Sequence, residues 1–233
     1  MSNGDRPANA AGVGEQKSGV DESGGKESED GNKLPLGADA LDPTALSILE
    51  AATQRFLHYG YSKTTMAEIA RDCSMSTGNL YRYFPSKMDI AEAFVKTLLD
   101  DHVTTLRATI ADGALPAEVR LRALLQETFR LNYNRFHDRP KAFQLSSELL
   151  SERRHIAVEW ERIEEGLVAE ILVDGVKAGV FEIDDVAAFA NAVKSMVFRF
   201  TTPAIFLDDE FQALSADLDA VIDVILRAIA TRD

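Results

Sequence analysis

From Asp42 to the C-terminus the apolar residues recur every three or four positions, and nowhere do they show the strict alternation that a half-buried strand requires. That periodicity confines the chain to an all-α fold. The punctuation agrees with it. At Asp42-Pro43 an aspartate can accept from a first-turn N–H, and proline at the first helical position loses only a donor that was unpaired anyway. The helix that follows turns Leu46, Leu49, Ala52, Phe56 and Leu57 to one side, and Gly60 offers a left-handed stop. Thr65-Met66-Ala67-Glu68 has the form of a capping box and opens a second, short helix with Met66, Ile69 and Ala70 inward. Ser76 caps a third helix, which passes Leu80 and Phe84 before Pro85 stops it. Ser86 restarts the chain as a long fourth helix to about Ile110, and a fifth runs from Pro116 to about His137. Arg139-Pro140 breaks that run, and helical spacing resumes over about 141–150, 153–178, 184–206 and 209–231. The last two segments carry long stripes, Val186 to Phe200 and Phe211 to Ile229, each of which needs a core to face.

Residues 1–40 read differently. They hold 8 of the 14 glycines, no aromatic residue and no periodicity, the composition of a disordered tail. The net charge of −13 argues at first against a nucleic-acid partner, but its distribution matters. Residues 41–100 carry 7 acids and 6 bases, the least acidic part of the chain. Charges more than about 8 Å away are largely screened at physiological salt, so an acidic body elsewhere does not prevent a small module from holding DNA. The single cysteine, Cys73, excludes an intrachain disulfide. With no apolar run long enough to span a bilayer and no signal-peptide core at the N-terminus, a cytoplasmic protein is expected.

Enzyme signatures are missing. Gly12-Val13-Gly14 begins like a dinucleotide loop but has Lys17 where the pattern needs glycine, and it lies in the tail. His58, His102, His137 and His155 show no metal-ligand spacing. Glu159, Glu161, Glu164 and Glu165 crowd around Trp160 and read as a solvated face. No catalytic residue, metal or cofactor is assigned.

Two short helices joined by a tight turn, the second capped by serine, are what a helix-turn-helix requires: one braces the DNA backbone while the next enters the major groove N-terminus first. Periodicity alone describes a packing core equally well. The run Thr65-Met66-Ala67-Glu68-Ile69-Ala70, followed by Ser76-Thr77-Gly78-Asn79-Leu80-Tyr81-Arg82-Tyr83-Phe84-Pro85-Ser86-Lys87, closely resembles the DNA-binding domain of the TetR family of transcriptional regulators. The likeness is strongest over residues 44–92; beyond them only length and helix pattern match. It implies that Thr77, Gly78, Asn79 and Arg82 face base edges, that Tyr81 and Lys87 meet phosphates, and that Thr65 sets a helix N-terminus against another phosphate. Ser74 stands where the family usually has glycine; a left-handed conformation there costs about 1–2 kcal/mol.

The expected organisation is therefore a tail over 1–40, a DNA-binding domain over 41–90 with its motif at about 65–84, and a helical effector-binding and dimerisation domain over 91–233. In the last two segments a second row of small residues, Ala187, Asn191 and Ser195 with Ala213, Ala216, Ala220, Val224 and Ala228, would let two copies meet as a four-helix bundle. In the fifth helix Thr128 and Asn132 interrupt an apolar inward face. Asn132, Tyr133, Trp160, Met196 and Arg199 together would line an effector pocket, apolar with a few orienting polar groups, and an inward Arg199 beside Met196 and Phe200 in a mainly apolar helix would suit an anionic or carbonyl-bearing effector. The functional expectation is a homodimeric, ligand-released repressor on operator DNA. A ligand-independent DNA-binding regulator, and an enzyme or interaction module on the same scaffold, are the alternatives.

Overall fold

The computed structural model describes residues 41–202 and 210–231; the expected tail lies outside the described residues. Among them the chain forms nine helices and no strand: α1 (Pro43–Tyr59), α2 (Met66–Asp72), α3 (Thr77–Tyr83), α4 (Lys87–Ile110), α5 (Ala117–Asp138), α6 (Pro140–Glu152), α7 (Arg154–Lys177), α8 (Val186–Thr201) and α9 (Phe211–Ile229). The local signals act as the sequence suggests. Asp42 Oδ1 accepts from the Thr44 and Ala45 amides at 2.8 and 3.0 Å. Ser76 and Ser86 accept from the third residue of their helices. Pro140, expected only to break a run, is the first residue of α6, where its missing N–H costs nothing. Helix α8 ends at Thr201 because Thr202 is extended; the remainder of the expected segment to 206 is not among the described residues.

The helices build two adjoining apolar clusters. One gathers Ile48, Phe56, Ile69, Leu80 and Phe84 of α1–α3 with Ile90, Phe94 and Leu99 of α4, and it takes Leu145 and Leu149 from α6. The other gathers α5, the later part of α7, α8 and α9 around Leu121, Leu124, Phe129, Ile171, Val193 and Ile222, and it takes Leu106 and Ile110 from the far end of α4. With 24 residues α4 is about 36 Å long, enough to serve both. The expected division at residue 90 lies in the first turn of α4, whereas the two clusters change over between Leu99 and Leu106. Leu46, expected to face inward, is 41% exposed, because the buried side of α1 is centred on Ala45, Ile48, Ala52 and Phe56.

Side-chain pairs fix the helices' relative positions. The Arg120 guanidinium is buried; its Nε donates to the Ile110 carbonyl that ends α4, and its Nη1 pairs with Asp174 of α7 at 2.8 Å. Arg122 pairs with Asp219 and Asp223 of α9. Helix α7 closes through a left-handed glycine, Gly179 at φ 74°, with Val180 N bonded to Gly175 O and Gly179 N to Val176 O, both at 3.0 Å. The chain then folds back so that Phe181 lies on Gly175: a Cβ at Gly175 would stand 2.0 Å from the ring. Gly175→Ala is therefore expected to destabilise the protein by about 1–3 kcal/mol, read as a lower urea midpoint at unchanged helical content.

Candidate nucleic-acid interface and cavity

The α2–α3 pair is held by a turn with little freedom. Met75 N donates to Ala70 O at 2.9 Å and Ser74 N to Arg71 O at 3.0 Å, the two bonds of a Schellman closure. Its left-handed position falls on Ser74, at φ 54°, so a serine accepts a conformation that glycine takes without strain. Both halves of the capping box form: Glu68 N donates to Thr65 Oγ1 and Thr65 N to a Glu68 carboxylate oxygen at 2.9 Å. The Thr65 hydroxyl and amide hold the Glu68 carboxyl below the usual carboxylate range. Arg55 of α1 reaches across to Glu68 and Asp72, fastening α2 to α1 and neutralising two acids of α2. Sequence reasoning missed this latch, since the spacing of 17 residues between Arg55 and Asp72 marks no local pattern.

With α3 so held, Leu80 and Phe84 are buried, while Gly78, Tyr81 and Arg82, at i, i+3 and i+4, make one exposed stripe. Thr77 and Asn79 flank it, half-buried; Asn79 gives its backbone N–H to Ser76 Oγ at 3.2 Å. Thr65 is exposed at the start of α2. Lys87 is placed otherwise. Its ammonium donates to the Tyr61 and Thr64 carbonyls, both at 2.8 Å, and lies 4.1 Å from the centre of the Tyr61 ring. Burial pulls its pKa below the ordinary lysine value. It thus ties the first turn of α4 to the loop before Thr65, with two of its three N–H groups committed.

In the C-terminal part a cavity of about 530 Å³ opens between α5, α6, α7 and α8. Asn132 and Trp160 line it; Tyr133, Met196 and Arg199 do not. Tyr133 packs instead on Phe129, His137 and Phe211, at the α5–α9 contact. Met196 is exposed, and Arg199 lies on the surface 4.0 Å from Asp217. The apolar setting of α8 suggested an inward Arg199, but its position on the helix turns it outward. Thr128 borders the cavity and donates its hydroxyl to Leu124 O at 2.8 Å. The expected dimer row, Ala187, Asn191, Ser195, Ala213, Ala216, Ala220, Val224 and Ala228, is exposed throughout, and Asn191 and Ser195 also reach the cavity rim.

The glutamate run is not a uniform solvated face. Glu161 is exposed, but Glu164 turns inward to the cavity wall, because four residues after Trp160 it shares the same side of α7. Behind it stands His102 of α4, whose side chain is fully buried, Nε2 3.7 Å from a Glu164 oxygen. Arg135 of α5 lies 3.2 Å from His102 Nδ1, and since a guanidinium only donates, Nδ1 accepts and the ring proton sits on Nε2. Burial, then the Arg135 charge, pushes the His102 pKa from 6.5 down to about 3. Burial raises the Glu164 carboxyl from 4.5 to about 7 against the opposing pull of Lys194 and Arg135, with Glu161 adding to the rise. The pair is therefore no ion pair at neutral pH, because the imidazole carries no charge.

Short helices on a Schellman turn, presenting one exposed stripe and joined through α4 to a helical body with a cavity, define a helix-turn-helix protein of two-part build. Two family models match it: "Bacterial regulatory proteins, tetR family" over residues 48–94, and "Tetracyclin repressor-like, C-terminal domain" over residues 117–222. The chain belongs to the TetR family of transcriptional regulators. It is 38% identical over 71 residues to the HTH-type transcriptional regulator HbdR of Aromatoleum sp. (strain CIB), covering 30% of this chain and 31% of that one. Its match to this relative, as to other curated ones, spans less than half of their length. A transcriptional regulator from Cytophaga hutchinsonii ATCC 33406 superposes with a TM-score of 0.60 at 26% identity, over 82% of this chain and all of that one. SmeT in complex with triclosan has the same fold, with a TM-score of 0.58 at 20% identity over 82% of this chain and 93% of that one. Among the described residues no helix is long and apolar enough to cross a membrane.

The two titrations oppose each other. His102 binds fewer protons folded than unfolded, so its contribution to stability is lost as pH falls from about 6.5 toward 3. Glu164 binds more protons folded than unfolded, so its contribution is lost as pH rises from 4.5 through about 7. Urea unfolding of the parent and Glu164→Gln across this range is expected to show a stability difference, parent minus variant, that declines with rising pH and levels above about 7.

Proposed function

We propose that the chain is a homodimeric, operator-binding transcriptional regulator in the cytoplasm, a repressor released by a small molecule held in the α5–α8 cavity. The observation that carries this reading is the exposed stripe of α3 on its turn, in a family of DNA-binding regulators. Thr77, Gly78, Asn79 and Arg82 read base edges, and the absence of a side chain at Gly78 lets the backbone come close. Tyr81 and the N-terminus of α2 at Thr65 hold phosphates. Lys87 offers its remaining N–H to a phosphate while it clamps the loop that positions Thr65. The exposed small-residue row of α8 and α9 is the seam between copies, which sets two recognition helices about 34–36 Å apart, one turn of DNA. Support for a released repressor comes from the cavity itself and from the triclosan bound by SmeT, which shares the fold. A ligand acts here by preferring the conformation in which the two α3 helices no longer match that spacing.

The test is a gel shift on the region upstream of the protein's own gene, repeated over a range of salt. Asn79→Ala and Arg82→Ala are expected to relax preference at particular base pairs by about 1–3 kcal/mol each. Lys87→Ala is expected to weaken all sequences alike and to flatten the salt dependence. No sequence-specific shift at any salt would overturn the reading. Uniform weakening by the Asn79 and Arg82 changes would show that other residues read the bases.

Val224 is 60% exposed at the middle of the proposed seam. Val224→Arg is expected to sediment as a folded monomer at micromolar concentration; a variant that stays dimeric places the seam elsewhere.

A further inference from the structure

The cavity's lining has a chemical bias. Three aromatic rings, Phe143, Trp160 and Phe198, share it with two carboxylates, Glu161 and Glu164, and one ammonium, Lys194. Lys194 donates to the Glu161 backbone carbonyl at 2.8 Å, so its charge is anchored at the rim of α7. The Glu164 carboxyl makes no hydrogen bond among the described residues; the His102 ring nitrogen stands 3.7 Å away, beyond hydrogen-bond reach. That His102 Nε2 is itself buried with no hydrogen-bond partner. No ammonium or guanidinium pairs with this carboxyl directly, Lys194 and Arg135 acting on it only from a distance, and an aromatic face beside a carboxylate is the arrangement that attracts an ammonium. The apolar remainder of the wall, Leu124, Leu125, Leu167 and Val168 among it, suits a hydrocarbon body.

We infer that the cavity takes an amphipathic cation, a protonated amine on an apolar body, whose ammonium donates to Glu164 against the ring of Trp160. This rests on the reading of the cavity as the effector site and names the ligand class. The volume of about 530 Å³ lies in the range usual for small-molecule sites. An anionic head group would meet Glu161 and Glu164 and find only Lys194 to pair with. A cation supplies what Glu164 lacks: its arrival stabilises the ionised carboxylate that burial disfavours. The charged and titratable groups around that carboxylate are His102 of α4, Arg135 of α5, Glu161 of α7 and Lys194 of α8. His102 stays neutral above its value of about 3, so Glu164 is the group that titrates near neutrality. Ammonium binding therefore strengthens as pH rises through about 7, while the amine is still protonated.

Trp160 is the single tryptophan and lines the cavity, so its emission reports occupancy directly. The probes are decylamine, decanol and decanoate, one hydrocarbon body with three head groups, titrated into the full-length protein with calorimetry as a second readout. The expected result is decylammonium bound about tenfold tighter than the other two, as one charge-assisted contact provides. In Glu164→Gln, checked for native helix content and unfolding midpoint, the three should bind within about threefold of one another. Decylammonium affinity for the parent should rise about tenfold from about pH 6 to about pH 8. Tightest binding of decanoate would overturn the inference and make Lys194 the reading group. Equal binding of all three would overturn it while leaving the cavity a ligand site. A preference that survives in Glu164→Gln would remove Glu164 from the role. If that variant does not fold, a flat pH profile in the parent overturns the proposal by itself. Silence of both readouts with all three probes would instead sink the underlying reading of the cavity as the effector site.

Discussion

A single helix has to satisfy two hydrophobic cores, and most of the molecule follows from how α4 does so. Its first half gives Ile90, Phe94 and Leu99 to the cluster that also holds α1, α2 and α3; its last turns give Leu106 and Ile110 to the cluster of α5, α7, α8 and α9. The helix is one hydrogen-bonded rod, so a displacement at one end is carried to the other. Both ends are fastened. At the start, Ser86 caps it, Lys87 ties it to the loop before α2, and Arg153 pairs with Asp89 and Glu92. At the finish, Arg120 takes the Ile110 carbonyl and binds Asp174. Where the two cores change over, α4 buries a histidine beside Val103: His102, flanked by Arg135, Trp160 and Glu164.

This arrangement joins the candidate DNA face and the candidate cavity through contacts that have a direction. The cavity wall carries Glu164 and Trp160, both of which touch His102 on α4, and α4 begins at Lys87 beneath the loop that leads into α2. The DNA side is made stiff by local means, a capping box, a Schellman turn and the Arg55 latch, so α1 to α3 can respond as a unit. Strain is accepted at one point in that unit, Ser74, where the bonds of the turn over-determine the backbone.

Much of this was legible before any coordinates. The caps at Asp42, Thr65 and Ser76, and the restart at Ser86, are readable because a cap is a contact between residues two or three apart. The buried faces of α8 and α9 were readable because their stripes are long and unbroken. The outward face of α3 was named through the family resemblance, with which the burial of Leu80 and Phe84 agrees, and Thr128 and Asn132 marked an apolar wall with polar breaks. Trp160 was named with Asn132 and lines the cavity, but the other three residues named for it do not. Tyr133, Met196 and Arg199 sit on helices that do border the cavity, but periodicity leaves open which neighbour a side chain meets.

The sequence by itself determined the fold class and most helix starts, because these rest on short-range chemistry, caps and the 3.6-residue period, while the α2–α3 motif was legible through its resemblance to a known family. Only the tertiary structure decided which charges are hidden. Glu164 is one of four glutamates in a run that looks solvated, and His102 is one polar residue in an amphipathic helix. Their burial, and the opposite shifts it imposes on them, come from α4, α5, α7 and α8 closing over the same few ångströms. Desolvation depends on everything that surrounds a group, and a linear pattern records only its neighbours along the chain.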